Sequence, residues 1–186
     1  MSDTVQVARN LLGKLLIRRI GNELLIGVIS ECEAYRSDDP ACHAFKGKTS
    51  RNDSLFGEVG HAYVYISYGL HFCLNAVARD KNNVEAGGVL IRAVVPIEGI
   101  ELMRNFRPNV PDKLLVNGPG KLTQAFKVTM CHKGLDLTNI QSDLFIGDAP
   151  EVPDHLIHAT PRIGISLAKD QLWRFVLAPN YLYSLK

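Results

Sequence analysis

The chain has 186 residues, which fits one domain or one domain with elaborations. Its 46% hydrophobic and 22% charged residues exclude a disordered or low-complexity chain and match a protein with a real apolar core. A formal net charge of +2 is too mild for a nucleic-acid-binding surface spread over the whole molecule, so any positive patch has to be local.

Residues 4–13 carry Val5, Ala8, Leu11 and Leu12 at helical spacing, with Gly13 suited to the C-terminal cap, and predict a short helix. Leu15-Leu16-Ile17 begins a strand. Gly21-Asn22 signals a turn, and Leu24 to Tyr35 completes a hairpin on which Glu31, Glu33 and Tyr35 share one face. Arg36 to Gly60 is irregular and long for a compact domain, as functional loops are, and it holds His43, Phe45 and Phe56. His61 to Asn75 reads as strand, turn and strand. Tyr63 and Tyr65 share a face there, while Tyr68 has the opposite parity and precedes Gly69, at a bend where it protrudes. Val89 to Val95 is an apolar strand that carries Arg92, and Pro96 to Phe106 predicts a helix with proline at its start. Asn117-Gly118-Pro119-Gly120 opens another helix. Beyond Leu135 the pattern predicts short strands around Leu144–Ile146, Arg162–Ser166 and Phe175–Leu177. Strands adjoin strands more often than they alternate with helices, which predicts a largely antiparallel sheet with helices packed outside it.

Four cysteines, Cys32, Cys42, Cys73 and Cys131, form no C-x-x-C pair, so reduced thiols are expected rather than a disulfide framework. Adjacent Cys-His pairs lack zinc-ligand spacing, and no metal is expected. The start of the chain has no signal-peptide pattern and no apolar run reaches membrane-spanning length, which predicts a protein that is neither secreted nor membrane-bound.

Several residues carry chemistry. Glu33 lies mid-strand among apolar neighbours, where a carboxylate is costly unless paired or functional. Glu31 competes with it on periodicity alone, and a solvent-facing carboxylate is the plainer alternative. Arg92, inside an apolar strand, needs either a carboxylate or a phosphate, and a structural ion pair answers equally well. Tyr35, Tyr65 and Tyr68 line a pocket and its rim or pack across strands, and Tyr63 belongs to the core. His43 and Asn75 would by default be a solvated loop histidine and an edge asparagine. Lys46, Lys48 and Arg51, with Arg18 and Arg19, are the candidates for a local positive surface.

Taken in order, Glu33-Ala34-Tyr35, His43-Ala44-Phe45, Thr49-x-Arg51-Asn52 and Gly60-x-x-Tyr63-Val64-Tyr65-x-x-Tyr68-Gly69 resemble the alkyladenine (3-methyladenine) DNA glycosylase family. Phe72-Cys73-Leu74-Asn75, Val89-Leu90-Ile91-Arg92-Ala93, Pro96-x-Glu98-Gly99, Gly118-Pro119-Gly120-Lys121-Leu122 and Arg162-Ile163-Gly164 continue the series over nearly the whole chain. The resemblance implies an α+β fold over residues 1–186: a single domain with a curved, mainly antiparallel, open barrel-like sheet and peripheral helices. It implies a monofunctional N-glycosylase that flips an alkylated or deaminated purine (3-methyladenine, hypoxanthine, ethenoadenine) out of double-stranded DNA and leaves an abasic site. Glu33 would activate water, Arg92 would orient it, and Tyr35, His43 and Tyr65 would sandwich the base. Asn75 would read the base edge, Tyr68 would fill the gap in the duplex, and Lys46, Lys48 and Arg51 would meet the backbone. No metal and no other cofactor is implied, and the protein would act as a monomer in the cytoplasm (the bacterial nucleoid) or the nucleus. The family pattern has proline where this chain has Ser50, and Met-Phe where it has Leu55-Phe56, which bears on the range of lesions. A non-catalytic damage-binding protein and a hydrolase of free nucleosides are the alternatives. An intact Glu33 argues against the first, and Tyr68 with its basic loop against the second.

Overall fold

The structure is a computed structural model that describes residues 3–79 and 85–184. Among the described residues eight strands form one curled antiparallel sheet, a half-barrel accompanied by four helices. Helix α1 (Thr4–Asn10) is shorter than the periodicity predicts and is capped by the Asp3 side chain, which accepts from the Val5 N–H. Strand β1 (Leu15–Ile20) turns at Gly21 into β2 (Glu23–Arg36). Strands β3 (Ala62–Ser67) and β4 (His71–Val77) form a second hairpin, and β5 (Gly87–Glu98) lies against β4. Short strands β6 (Leu144–Gly147), β7 (Ile157–Thr160) and β8 (Arg174–Leu177) complete the sheet, in the order β3-β4-β5-β2-β1-β6, with β8 joining β2 to β7.

Strand β2 organises the whole. Its first half pairs with β1, its second half with β8, and nearly its full length with β5. Two neighbours leave the same edge of one strand at different levels, so the sheet splits and curls rather than continuing flat. The register between β2 and β5 slips twice near the middle. Ile29 faces Val94 and Glu31 faces Ala93, which leaves Ser30 extra on β2; Cys32 then faces Ile91, which leaves Arg92 extra on β5. The inward parity reverses at that level. The core residues run Val89, Ile91 and then Val94 on β5, and Ala34, Cys32 and then Ile29 on β2.

The main core packs Leu16, Leu25, Ile29 and Ile91 of this sheet, with Leu12 from the turn after α1, against Met103 of helix α2 (Ile100–Phe106) and Leu122 of helix α3 (Pro119–Ala125). A fourth helix, α4 (Pro179–Ser184), carried no clear sequence signal. A smaller cluster, Cys42, Ala44, Leu55, Tyr63, Val77 and Ala86, lies under the loop that follows β2 and anchors it. All four cysteines are free, and burial pushes the Cys42 thiol up to about 11. Among the described residues no helix is long and apolar enough to cross a membrane.

Two predicted elements need correction. Pro96 does not open a helix: it lies inside β5 opposite Gly27, two residues before the strand ends at Glu98 and beside another register slip where a missing N–H is tolerated. The chain breaks at Gly99, whose φ is +72°, and α2 starts after it. Arg162–Ser166 is not a strand but an irregular segment between β7 and β8.

A Cβ at residue 99 would stand 2.3 Å from the Leu24 carbonyl oxygen, on a left-handed backbone. Gly99→Ala is therefore expected to lower the unfolding free energy by about 1–3 kcal/mol, from strain alone. A denaturant titration of wild type and variant checks this; coincident curves would place the break elsewhere.

Candidate active site

Bulged Arg92 and its neighbours on β2 form a layered charge cluster. Glu33 has no exposed surface. Its Oε1 accepts the Ile163 N–H at 2.8 Å, and its Oε2 accepts the Tyr35 hydroxyl at 2.8 Å and Arg92 Nη1 at 3.2 Å. Three of about four acceptor positions are thus used, and the remaining one is on Oε1. Arg92 Nε also donates to Glu31 at 2.5 Å. Burial alone would raise the Glu31 carboxyl, but Arg174 and Arg92 more than offset it and hold Glu31 below the usual carboxylate range. Burial raises the Tyr35 phenol, and the adjacent Glu33 charge adds to this, so Tyr35 remains a firm donor.

Above this cluster opens a cavity of about 500 Å³. Tyr35, His43, Tyr65, Asn75, Arg92, Arg51 and Tyr68 all line it, so residues from four separate chain segments meet there. Glu33 is not itself part of the lining; it lies behind Tyr35, Arg92 and Ile163, which are. His43 and Tyr65 meet edge to face with centroids 4.6 Å apart, and Tyr65 stacks on Tyr63 at 5.4 Å. His43 Nδ1 is 2.9 Å from the Tyr63 hydroxyl. Burial, followed by the Arg51 charge, lowers the His43 pKa. Asn75 is buried and its Nδ2 donates to the Tyr63 carbonyl at 3.1 Å, which fixes the amide at the cavity floor.

The rim carries the exposed groups. Tyr68 is 86% exposed at φ +50°, the tip of the turn between β3 and β4. Arg51 reaches across the same hairpin to the Ile66 carbonyl at 3.2 Å. Lys46 and Lys48 are exposed on the loop but do not line the cavity. Arg18 and Arg19, on β1, lie far along the strand order from β3 and are tied to the 140–143 segment, Arg18 to Asp143 and Arg19 to the Ile140 and Ser142 carbonyls.

Three supports escape the sequence reading. Asn52, buried within the loop, donates to the His43 carbonyl at 2.7 Å and the Gly47 carbonyl at 3.0 Å, and so sets the backbone that presents His43. Asp39 and Arg162 form a buried ion pair, with Nη2 to Oδ1 at 3.1 Å. Arg162 also donates to the Ala34 carbonyl at 2.8 Å and lies over the Tyr35 ring at 4.7 Å. Arg174, the third, completes the ion pairing of Glu31. Asn52 and Arg162 enter the sequence reading only as members of the motif series, with no role attached to either.

An aromatic cavity floored by an arginine and backed by a paired carboxylate is the equipment of an enzyme that acts on a flat ring. The family model of methylpurine-DNA glycosylase matches residues 1–181. Curated relatives named "Putative 3-methyladenine DNA glycosylase" are similar over nearly the whole length. One from Carboxydothermus hydrogenoformans is 44% identical over 99% of this chain and 95% of its own. One from Chlorobaculum tepidum is 44% identical over 96% and 85%, and one from Francisella tularensis 40% identical over 98% and 94%. The chain belongs to the methylpurine-DNA glycosylase family: it is a hydrolase of N-glycosyl bonds that acts on DNA in repair.

The Asp39–Arg162 pair ties the loop to the segment that meets Glu33. Asp39→Ala leaves a buried guanidinium unpaired and is expected to cost about 3–5 kcal/mol of stability. Equilibrium unfolding measures it, and a cost below about 1 kcal/mol would give the pair no more weight than a surface one.

Proposed function

We propose that the chain, as one domain over residues 1–186, is a monomeric, monofunctional glycosylase for alkylated and deaminated purines in double-stranded DNA: 3-methyladenine first, with hypoxanthine and ethenoadenine as further substrates. Its place is the compartment that holds the DNA, cytoplasm with nucleoid or nucleus. One observation carries the reading: Glu33 is bound to Arg92 and Tyr35 immediately behind a cavity walled by aromatic rings.

The target nucleotide must leave the stack, at a cost of a few kcal/mol that is least for damaged bases. Tyr68, exposed beyond the rim, fills the gap and offsets part of that cost. Lys46, Lys48 and Arg51 meet the phosphates, which makes binding sensitive to salt. The flipped base lies among Tyr35, His43 and Tyr65. A cationic alkylated base is favoured against ring faces, and the lowered His43 pKa keeps that ring neutral beside it. Asn75, pinned by Tyr63, reads the base edge and disfavours the exocyclic amine of guanine.

The C1′–N bond then breaks with its electron pair going to the base, and C1′ gains oxocarbenium character in the cavity that the Glu33 carboxylate backs. A water held at the open position of Glu33 Oε1 gives its proton to that carboxylate and its oxygen to C1′. Arg92 holds the carboxylate and lines the cavity. Alkylated bases leave as neutral molecules. Hypoxanthine and ethenoadenine leave only with a proton delivered to the base.

The test is single-turnover release of 3-methyladenine from methylated DNA, and of hypoxanthine and ethenoadenine from defined duplexes. Glu33→Gln is expected to lose about 100-fold or more in rate with lesion binding retained. Equal release by the variant would remove Glu33 from the chemistry. Tyr68→Ala is expected to slow flipping, read by 2-aminopurine fluorescence next to the lesion, while leaving methylated-base release from single strands unchanged. An unaltered flipping rate would end its role as a wedge.

A further inference from the structure

We propose that Arg174 is a positioning residue for base excision: it fixes Glu31, and Glu31 fixes the Arg92 guanidinium toward the cavity. The inference rests on the reading above, in which Arg92 serves Glu33.

Five side chains form one chain of contacts in which charges alternate in sign: Arg174, Glu31, Arg92, Glu33 and, closing it, the Tyr35 hydroxyl. Exposure falls steadily along it, with side chains 21% accessible at Arg174, 16% at Glu31, 11% at Arg92 and 0% at Glu33. Burial therefore deepens toward the carboxylate assigned to the chemistry, where misplacing a charge costs most.

One oxygen, Glu31 Oε1, receives both guanidinium groups, Arg92 Nε at 2.5 Å and Arg174 Nε at 2.7 Å. The arrangement divides the Glu31 charge between two cations. Arg92 holds Glu31 more closely than it holds Glu33, which is 3.2 Å from Nη1. Without Arg174 the full Glu31 charge would fall on Arg92 and draw the guanidinium off Glu33. With Arg174 in place, Arg92 spends Nε on Glu31 and Nη1 on Glu33, and Nη2, with no partner among the described residues, is left for the cavity that Arg92 lines.

Arg174 is itself held. It faces Glu33 across the β2–β8 register and Thr160 across β7–β8, and its Nη1 donates to Thr160 Oγ1 at 3.0 Å. It does not line the cavity and so stands outside the space a base would occupy. Its influence on the reaction therefore passes through Glu31 and Arg92. A clamp holding β8 to β2 would change stability alone; a positioning residue changes the rate of the chemical step.

The experiment is a double-mutant cycle on single-turnover release of methylated purine from alkylated duplex DNA with enzyme in excess. Melting temperature and affinity for an abasic-site duplex are measured in parallel. Arg174→Ala is expected to lower the rate about tenfold, a modest share of what a displaced catalytic group can lose, with affinity within about twofold. Arg174→Lys, which restores the charge, is expected to recover part of the rate. In an Arg92→Ala background the same Arg174→Ala change is expected to add nothing. A full tenfold loss in that background, a loss of affinity in place of rate, or no loss at all overturns the proposal. Should Arg174→Ala fail to fold, Glu31→Gln, which keeps the side chain's size, reads the same coupling from the other end, and additivity with Arg92→Ala again overturns it. Failure of the underlying reading shows separately, as an Arg92→Ala enzyme with undiminished release.

Discussion

A carboxylate with no solvent contact has to be surrounded by donors, and in this protein that requirement falls on Glu33. Its donors come from three places: Tyr35 two residues further along β2, Arg92 on β5, and the Ile163 amide on the segment between β7 and β8. Tyr35 is local, but neither Arg92 nor the Ile163 amide can reach Glu33 until the sheet has closed around β2. The paired register slips make this possible, because they raise Arg92 out of the ladder at the level of Glu31 and Cys32 while the core residues resume on the other side. Folding and assembly of the reactive cluster are one event.

The cavity walls obey a different economy. Neither the loop after β2 nor the 162–168 segment has a regular hydrogen-bonding ladder, so side chains take over that work. Asn52 gathers the carbonyls of His43 and Gly47, and the buried Asp39–Arg162 pair binds one segment to the other. The small cluster around Leu55 and Tyr63 adds the apolar anchor. Variation in exposed positions such as Ser50 can therefore alter the rim while the presentation of His43 stays fixed by Asn52 from within.

Period-two alternation was enough to place Glu31, Glu33 and Tyr35 on one face, and the apolar run around Arg92 already required a partner for it. The protruding Tyr68 followed from its parity and the glycine after it. What stayed hidden depended on distance along the chain or on local irregularity. Arg162 finds Asp39 at a separation of 123 residues, and nothing near either residue announces the other. Periodicity does not choose between Glu31 and Glu33, since both share a face and bind Arg92; burial and their other partners separate them. Pro96 reads as a helix opening because proline favours first turns, yet a register slip at Gly27 lets it sit within the last paired stretch of β5, and the left-handed Gly99 makes the break. Arg162–Ser166 reads as a short strand, but the Ile163 amide donates to Glu33 rather than to a ladder.

Tyr68 stands at the tip of a hairpin whose second strand, β4, carries Asn75, and Asn75 pairs with Leu90 on β5, two residues from Arg92. From tip to cavity floor the connection is continuous hydrogen-bonded sheet, with no intervening loop to act as a hinge. On the proposed reading, the part that pushes into a duplex and the part that receives the base keep a constant separation. On that reading this hairpin serves as a gauge of fixed length: the DNA supplies the motion along it, and a base that does not yield easily is passed over.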